Sequence, residues 1–254
     1  MRITGIHYGI LRIPLRTPFK TALRTVETIE DVIVRIETDS GHVGYGEAPP
    51  TVAITGDSLE SILEALRGSI GPALLGRDIL AIDGNCQTVQ NAVLKNTSAK
   101  AAAEIALYDL FAQQAGKPLY QVLGGGQPRL ITDLTISAND TATMLYDCES
   151  ALERGFTALK IKVGKDVGDD IARLQAIRRA VAGRASLRID ANQGWSAEQT
   201  ISVMHTLESG GEPFELIEQP VSAEDIQGLI KIRAGIKTPL LADESAFNLE
   251  QVRQ

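Results

Sequence analysis

Four stretches in the second half of the chain end in charge at nearly equal intervals, and this most constrains the fold. "ALKIKV" (158–163) carries Lys160 and Lys162, "SLRIDA" (186–191) reaches Asp190, "FELIEQ" (214–219) reaches Glu218 and "PLLADE" (239–244) reaches Asp243. Lys162 to Asp190 is 28 residues, Asp190 to Glu218 is 28, and Glu218 to Asp243 is 25. A further strand-like stretch, "TDLTIS" (132–137), precedes them. Amphipathic segments with helical periodicity lie near 141–154, 168–182, 196–209 and 223–234, and "NLEQVRQ" follows the last strand. Five strand–helix units at this period predict a parallel sheet, either doubly wound or part of a (β/α)₈ barrel. An open sheet gathers its ligand at one switch point, whereas a barrel collects residues from the C-terminal ends of many strands. Charge at the same place in four successive units favours the barrel.

The first 130 residues have strands followed by helices, which is α+β grammar. "DVIVRIETDSGHVGYGEA" predicts a hairpin with Val32, Val34 and Ile36 on one face, a turn at "DSG", and Val43 and Tyr45 on the return. "DSLESILEALRGSI" predicts a helix capped by Asp57 or Ser58. "TSAKAAAEIALYDLFAQQAGKP" predicts a second, capped by Ser98 and stopped by Gly116 and Pro118. "LGGGQP" (123–128) follows a helix rather than a strand, so it is read as a helix stop and interdomain turn, not a phosphate loop.

Composition narrows the function classes. A net charge of −7 with no basic run gives no reason to expect nucleic acid or acidic membrane partners. No apolar run is long enough for a membrane span. Arg2, His7 and Arg12 interrupt what would be the apolar region of a signal peptide, so a cytoplasmic protein is expected. Cys86 and Cys148 lack metal-type spacing and are read as free thiols. Three scattered histidines offer little material for a zinc site or a Ser-His-Asp triad.

One strand-end acid is more often a cap or a surface ion pair than a ligand. Three in register are different. Asp190, Glu218 and Asp243 converge at a barrel mouth, where unpaired carboxylates repel. A hard divalent cation with oxygen ligands, Mg²⁺ above all, resolves the repulsion. Three carboxylates and two ammonium groups leave one negative charge; one Mg²⁺ and a substrate carboxylate bring the site to neutrality. Lys160 and Lys162 share a strand face. Taken alone, they read equally well as ion-pair partners of Asp190 and Glu218. Beside each other and a metal, their pKa values are expected to fall, as a general base requires. A cation holding a carboxylate next to a lysine base is suited to removing the proton α to that carboxylate, because the cation stabilises the enolate.

"KIKVG", "DANQGW", "IEQP" and "ADES", in this order and spacing, resemble the enolase superfamily, whose sites pair a lysine or histidine base with Mg²⁺. The resemblance is to its muconate-lactonizing branch and, within that, to dipeptide epimerases of the L-Ala-D/L-Glu type. It runs through the whole chain: "PFKTALRT", "VGYGEAPP" and "ITGDS" look like the family's capping domain. The implied architecture is α/β: an α+β capping domain over 1–130, then the first five βα units of an incomplete (β/α) TIM-type barrel over 131–254. The resemblance implies one Mg²⁺ per active site on Asp190, Glu218 and Asp243. It makes Lys162 the base, and Lys160 the neighbour that tunes it and touches the substrate carboxylate. Arg24 matches an arginine that meets a glutamate side chain of the substrate, and Thr135 a substrate-contacting threonine. Read without the resemblance, Arg24 is a solvated loop charge and Thr135 is barrel filling. Asn192 and Gln193 are expected to support Asp190.

The implied activity is epimerisation of a small dipeptide or related carboxylate. A second lysine on the sixth barrel strand and an Asp-x-Asp motif, both part of the family pattern, are not met before Gln254. The chain is therefore expected to be a C-terminally truncated relative that exchanges the α-proton of one epimer without interconverting the two. An o-succinylbenzoate synthase-like lyase or a muconate-lactonizing cycloisomerase is the alternative within the superfamily. An inactive fragment or non-catalytic interaction protein is the alternative outside it. A homo-oligomer is compatible with the family, which is often multimeric.

Overall fold

The computed structural model describes residues 1–22, 24–126 and 129–253. The chain forms two compact units: Met1–Arg16 with Glu27–Leu130, and Thr17–Val26 with the stretch from Ile131 onward.

The first unit is built on most of an antiparallel sheet in the order β1 (Ile3–Lys20), β2 (Thr25–Thr38), β3 (Val43–Ala48), the end of β1 from Thr17 and the start of β2 to Val26 being counted with the second unit. β1 is 18 residues long and was not foreseen as a strand. Its two prolines, Pro14 and Pro18, are tolerated because it is an edge strand. The expected hairpin is present, with Val32 opposite Ala48 and Arg35 opposite Tyr45. Val32, Val34 and Ile36 are buried. On the return strand the inward positions are Gly44, Gly46 and Ala48, while Tyr45 is exposed.

Helices α1 (Leu59–Ala65), a π-helical turn (Leu66–Ile70), α2 (Gly71–Leu74), α3 (Ile82–Ala92), α4 (Thr97–Ala115) and α5 (Leu119–Val122) follow. Ser58 caps α1 in a reciprocal capping box with Ser61. α4 is capped by Asn96 rather than Ser98. Asn96 adopts the left-handed conformation that asparagine tolerates, and its side chain accepts from the Ala99 amide. Ser98 gives its backbone N–H to Asp57 Oδ2 at 3.0 Å. Gly116 ends the helix as expected. α4 lays Ala99, Ala102, Ala106 and Leu110 on the sheet. The helix comes so close that a Cβ on Gly46 would lie 1.9 Å from the Ala102 carbonyl oxygen, and one on Gly44 2.3 Å from that of Ala106. Of "LGGGQP", Gln127 and Pro128 lie outside the described residues.

The second unit is a five-stranded parallel sheet in sequence order: β4 (Leu134–Ile136), β5 (Ala158–Lys162), β6 (Ser186–Asp190), β7 (Leu216–Glu218), β8 (Leu240–Leu241). These alternate with α6 (Thr141–Glu153), α7 (Val167–Val181), α8 (Ala197–Glu208), α9 (Ile226–Gly235) and α10 (Leu249–Arg253). All-parallel strands in sequence order are the arrangement of a (β/α) barrel segment. The two faces of the sheet differ sharply. Leu159, Ile161, Leu187, Ile189 and Ile217 point to the helices and pack against Met144, Leu174, Ile177, Val203, Met204 and Ile232. The alternate positions, Thr135, Lys160, Lys162, Arg188, Asp190 and Glu218, share the other face through the strand registers. Arg188 bonds both Asp133 and Glu215 there, linking β6 to residues that flank β4 and β7.

The approach to β8 is held by Glu208, at the end of α8. Its Oε1 accepts from the Lys237 amide and from both the amide and the hydroxyl of Thr238. Burial pushes its pKa up, but these bonds win and hold it below the ordinary value. A carboxylate depressed on folding contributes stability above its unfolded pKa, near 4.3, and loses it as the pH falls through the lower folded value. Glu208→Gln keeps the acceptor oxygen but removes its charge. It is predicted to cost about 1 kcal/mol at pH 7. Urea melts of both proteins should show that difference closing as the pH drops from about 5 towards 3.

Both cysteines are free, and burial pushes the Cys148 thiol up to about 12. Among the described residues, no helix is long and apolar enough to cross a membrane.

Candidate active site

The C-terminal ends of β5, β6 and β7 bring together four of the residues singled out in the sequence. Lys162 lies in register with Asp190, and Asp190 with Glu218. Lys162 Nζ is 2.6 Å from Asp190 Oδ2. Lys160 Nζ is 3.1 Å from the same oxygen and 2.9 and 3.1 Å from the two oxygens of Glu218. The side chains of Asp190 and Lys162 are almost wholly buried, and Lys160 is the most accessible of the four at 21%. Thr135 lies beside Lys160 in register on β4. Arg24 is exposed on the loop between β1 and β2, with its amide donating to Thr21 Oγ1 at 3.2 Å.

The electrostatics follow from these contacts. Burial pushes Asp190 up, but two ammonium groups outweigh it and hold the carboxyl below the usual range. Burial also pushes Glu218 up, Asp190 adds to this, and Lys160 offsets it only partly. The expected depression is not found for Lys160. Burial lowers it, but its bonds to Glu218 and Asp190 raise it further, so its pKa lies above the ordinary lysine value. Lys160 is held between the carboxylates of Asp190 and Glu218.

The third acid stands apart. Asp243 is exposed, and among the described residues no group of three His, Cys, Asp or Glu side chains is placed to hold a metal ion. Two features still suit a hard cation. Asp190 and Glu218 present adjacent carboxylates, an all-oxygen donor pair. The neighbouring Glu244 is buried with an Oε2 that has no hydrogen-bond partner, and it feels the charges of Asp190, Asp243 and Lys162. Donor chemistry therefore fits Mg²⁺ at Asp190 and Glu218, while Asp243 is not gathered with them.

The loops beyond the strands are tightly tied. Asn192 supports Asp190 through its backbone, whose N–H donates to Asp190 Oδ1 at 2.9 Å. Its own Oδ1 is buried without a partner. Gln193 reaches elsewhere: its Oε1 accepts from the Ala223 amide and its N–H donates to the Gln219 carbonyl. Asn192, Gln193 and Gln219 all have positive φ, at 43°, 65° and 32°. Such strain clusters where a site dictates the backbone. Gln219, overlooked in the sequence, is wholly buried. Its Oε1 accepts from the amides of Asp243 and Ser245, and its Nε2 donates to the Val221 carbonyl and Ser245 Oγ. It thus fixes the segment bearing Asp243. Its position immediately after Glu218 was the available signal.

Known proteins match this arrangement closely. The family "Mandelate racemase / muconate lactonizing enzyme, N-terminal domain" matches residues 8–124, and "Enolase C-terminal domain-like" matches 143–254. The L-Ala-D/L-Glu epimerase of Bacillus subtilis (strain 168) is 49% identical over 99% of this chain, which spans 69% of that protein. A substrate-liganded structure of the Bacillus subtilis epimerase superposes with a TM-score of 0.96, covering 99% of this chain and 70% of that one. A dipeptide epimerase from Enterococcus faecalis V583, complexed with Mg and the dipeptide L-Leu-L-Tyr, is 38% identical with a TM-score of 0.94, covering 99% of this chain and 70% of that one. Both regions of the chain and their order are accounted for by these matches. The chain belongs to the mandelate racemase/muconate lactonizing enzyme group of the enolase superfamily.

Proposed function

We propose that this chain carries the lysine-bearing wall of a Mg²⁺-dependent dipeptide epimerase site of the L-Ala-D/L-Glu type. The observation that carries the reading is the pair Lys160 and Lys162, set on one strand face against Asp190 and Glu218 of the next two strands. The names of the most similar relatives support the substrate class.

Lys162, as the neutral amine, takes the proton from the α-carbon next to the substrate carboxylate. The C–H bond breaks, its electron pair passes into the carboxylate as an enolate, and the proton ends on Nζ. Lys162 can do this only when its bond to Asp190 opens and the ammonium gives a proton to solvent, so the ion pair of the structure is the resting arrangement. Lys160, at the more open end, receives the substrate carboxylate. Thr135 contacts the substrate beside Lys160, and Arg24 meets its second carboxylate. Asp190 and Glu218 are the residues that would hold Mg²⁺, and Asp243, which the structure does not gather with them, is the third ligand that the family resemblance implies. Bound there, the cation supplies the positive charge that an enolate formed from a carboxylate needs.

The test is proton NMR of L-Ala-L-Glu in D₂O with the 254-residue polypeptide, with and without Mg²⁺. Loss of the glutamyl α-proton signal is expected only with the metal present. The opposite epimer should not accumulate, because Lys162 serves one side of the α-carbon. No exchange across a panel of dipeptides would overturn the reading. Elimination or ring-closed products would move it to the lyases or cycloisomerases of the superfamily.

A further inference from the structure

We propose that Asp170 is a positioning residue of this site, pinning the loop after β5 to the loop after β6 and so setting Lys162 against Asp190. The consequence for catalysis rests on the functional reading above; the pinning itself does not.

Asp170 lies in the first turn of α7, where an acid is ordinarily a solvated helix-end charge. Yet it is completely buried. It is not needed as a cap, since Asp166 is the N-cap and accepts from the Asp169 amide. Its Oδ2 accepts from the Gly164 amide at 2.8 Å and from the indole N–H of Trp195 at 3.3 Å. Its Oδ1 accepts from Arg173 at 2.5 Å. A carboxylate is taken out of water only where such bonds compensate it. Burial raises the pKa of Asp170, and the Gly164, Arg173 and Trp195 contacts oppose that rise.

The two loops that Asp170 joins carry the site. Gly164 is two residues beyond Lys162, and Trp195 is five beyond Asp190. They also touch through the main chain. Gly164 has φ of +105°, and a Cβ there would stand 2.3 Å from the Ala191 carbonyl oxygen. One on Gly194 would stand 2.3 Å from the Gly164 oxygen. Strand pairing between β5 and β6 ends at Lys162 and Asp190, and Val163 donates to the Asp190 carbonyl just past it. Beyond that point one carboxylate grips both loops. Without it, the Val163–Asp190 main-chain bond and the Gly164 backbone contacts with Ala191 and Gly194 are left to hold the two loops just beyond Lys162 and Asp190.

Trp195 is the only tryptophan, so the contact reports on itself. The variants are Asp170→Asn, which keeps the volume and one carbonyl oxygen, and Asp170→Ala. Three measurements do not depend on activity: Trp195 emission with acrylamide quenching, hydrogen exchange at the Gly164 amide, and Lys162 acylation by acetic anhydride mapped by mass spectrometry. Exposed Lys231 is the internal standard for acylation, and far-UV circular dichroism checks the fold. Trp195 should become more quenchable, Gly164 should exchange faster, and Lys162 should label severalfold faster relative to Lys231. The rate constant for α-proton exchange should fall by about 10- to 100-fold with KM nearly unchanged, as misplacement of a reacting group does. If Ala unfolds the protein, Asn carries the test. Unaltered Gly164 and Trp195 signals would overturn the proposal, as would loosened loops with Lys162 labelled at the wild-type rate. A wild-type chain that exchanges no substrate proton would sink the enzymatic reading, while a labelling response at Lys162 would still uphold the positioning.

Discussion

Replacing Lys162 with methionine is expected to lower α-proton exchange by about a thousandfold or more while leaving the protein folded. A positioned general base contributes about 10²- to 10⁴-fold, and no other side chain in the described site stands in the same place. The fold should survive for a local reason. Asp190 would still have the Lys160 ammonium at 3.1 Å and the Asn192 amide at 2.9 Å, so its charge would not be stranded. Methionine fills the space of the lysine stem, and replacing a buried charge partner with a well-packed apolar group is costly mainly when the remaining charge is unpaired. The measurement is NMR exchange in D₂O beside a thermal melt. A variant with less than tenfold loss would remove Lys162 from the role of base. Lys160→Met should behave differently, with the larger part of its effect in KM, because its place is at the carboxylate end.

The second large effect concerns the first unit. Gly46→Ala adds a single carbon, yet that carbon would sit 1.9 Å from the Ala102 oxygen and 2.9 Å from its carbonyl carbon. The clash is with helix backbone, so no side chain can swing aside. Overpacking a core usually costs about 1–3 kcal/mol, and the main-chain obstruction puts this case at about 3 kcal/mol. For a chain of this length that corresponds to a fall in Tm of about 6–12 °C. Gly9→Ala is the control: a Cβ there meets nothing within 4 Å, and the melt should hardly move. Equal melts for the two variants would show that α4 can shift away from β3 at little cost.

Why some of this was legible in advance and some was not can be seen residue by residue. The five βα units were readable because each strand carries its own apolar face and each helix its own cap, all local features. The register of Lys162, Asp190 and Glu218 was readable because equal spacing in a parallel sheet becomes lateral alignment. Long-range contacts were not. β1 is hard to read from sequence because most of an edge strand is exposed and its alternation is weak. Serine at a helix start usually is its cap, but the Ser98 amide has a distant partner, Asp57, and Asn96 caps the helix. Nothing in the sequence separates Asp170 from any other acid in a first helical turn, and only the folded structure reveals its burial. The expected fall in lysine pKa failed for Lys160 because the two flanking carboxylates act on it more strongly than burial does.

The split between the two faces of the parallel sheet bears on how the second unit assembles. Its apolar surface lies between strands and helices that are neighbours in sequence, so collapse can proceed unit by unit with short loops to close. The charged face offers nothing to that early collapse, because ammonium and carboxylate groups are better solvated until the strands are aligned. The ion pairs of Lys160 and Lys162 are thus expected to form late in folding. Changes at the site are predicted to alter mainly the unfolding rate, with the refolding rate almost unchanged in stopped-flow measurements. Chemistry on that face can therefore vary without obstructing the route by which the barrel segment folds.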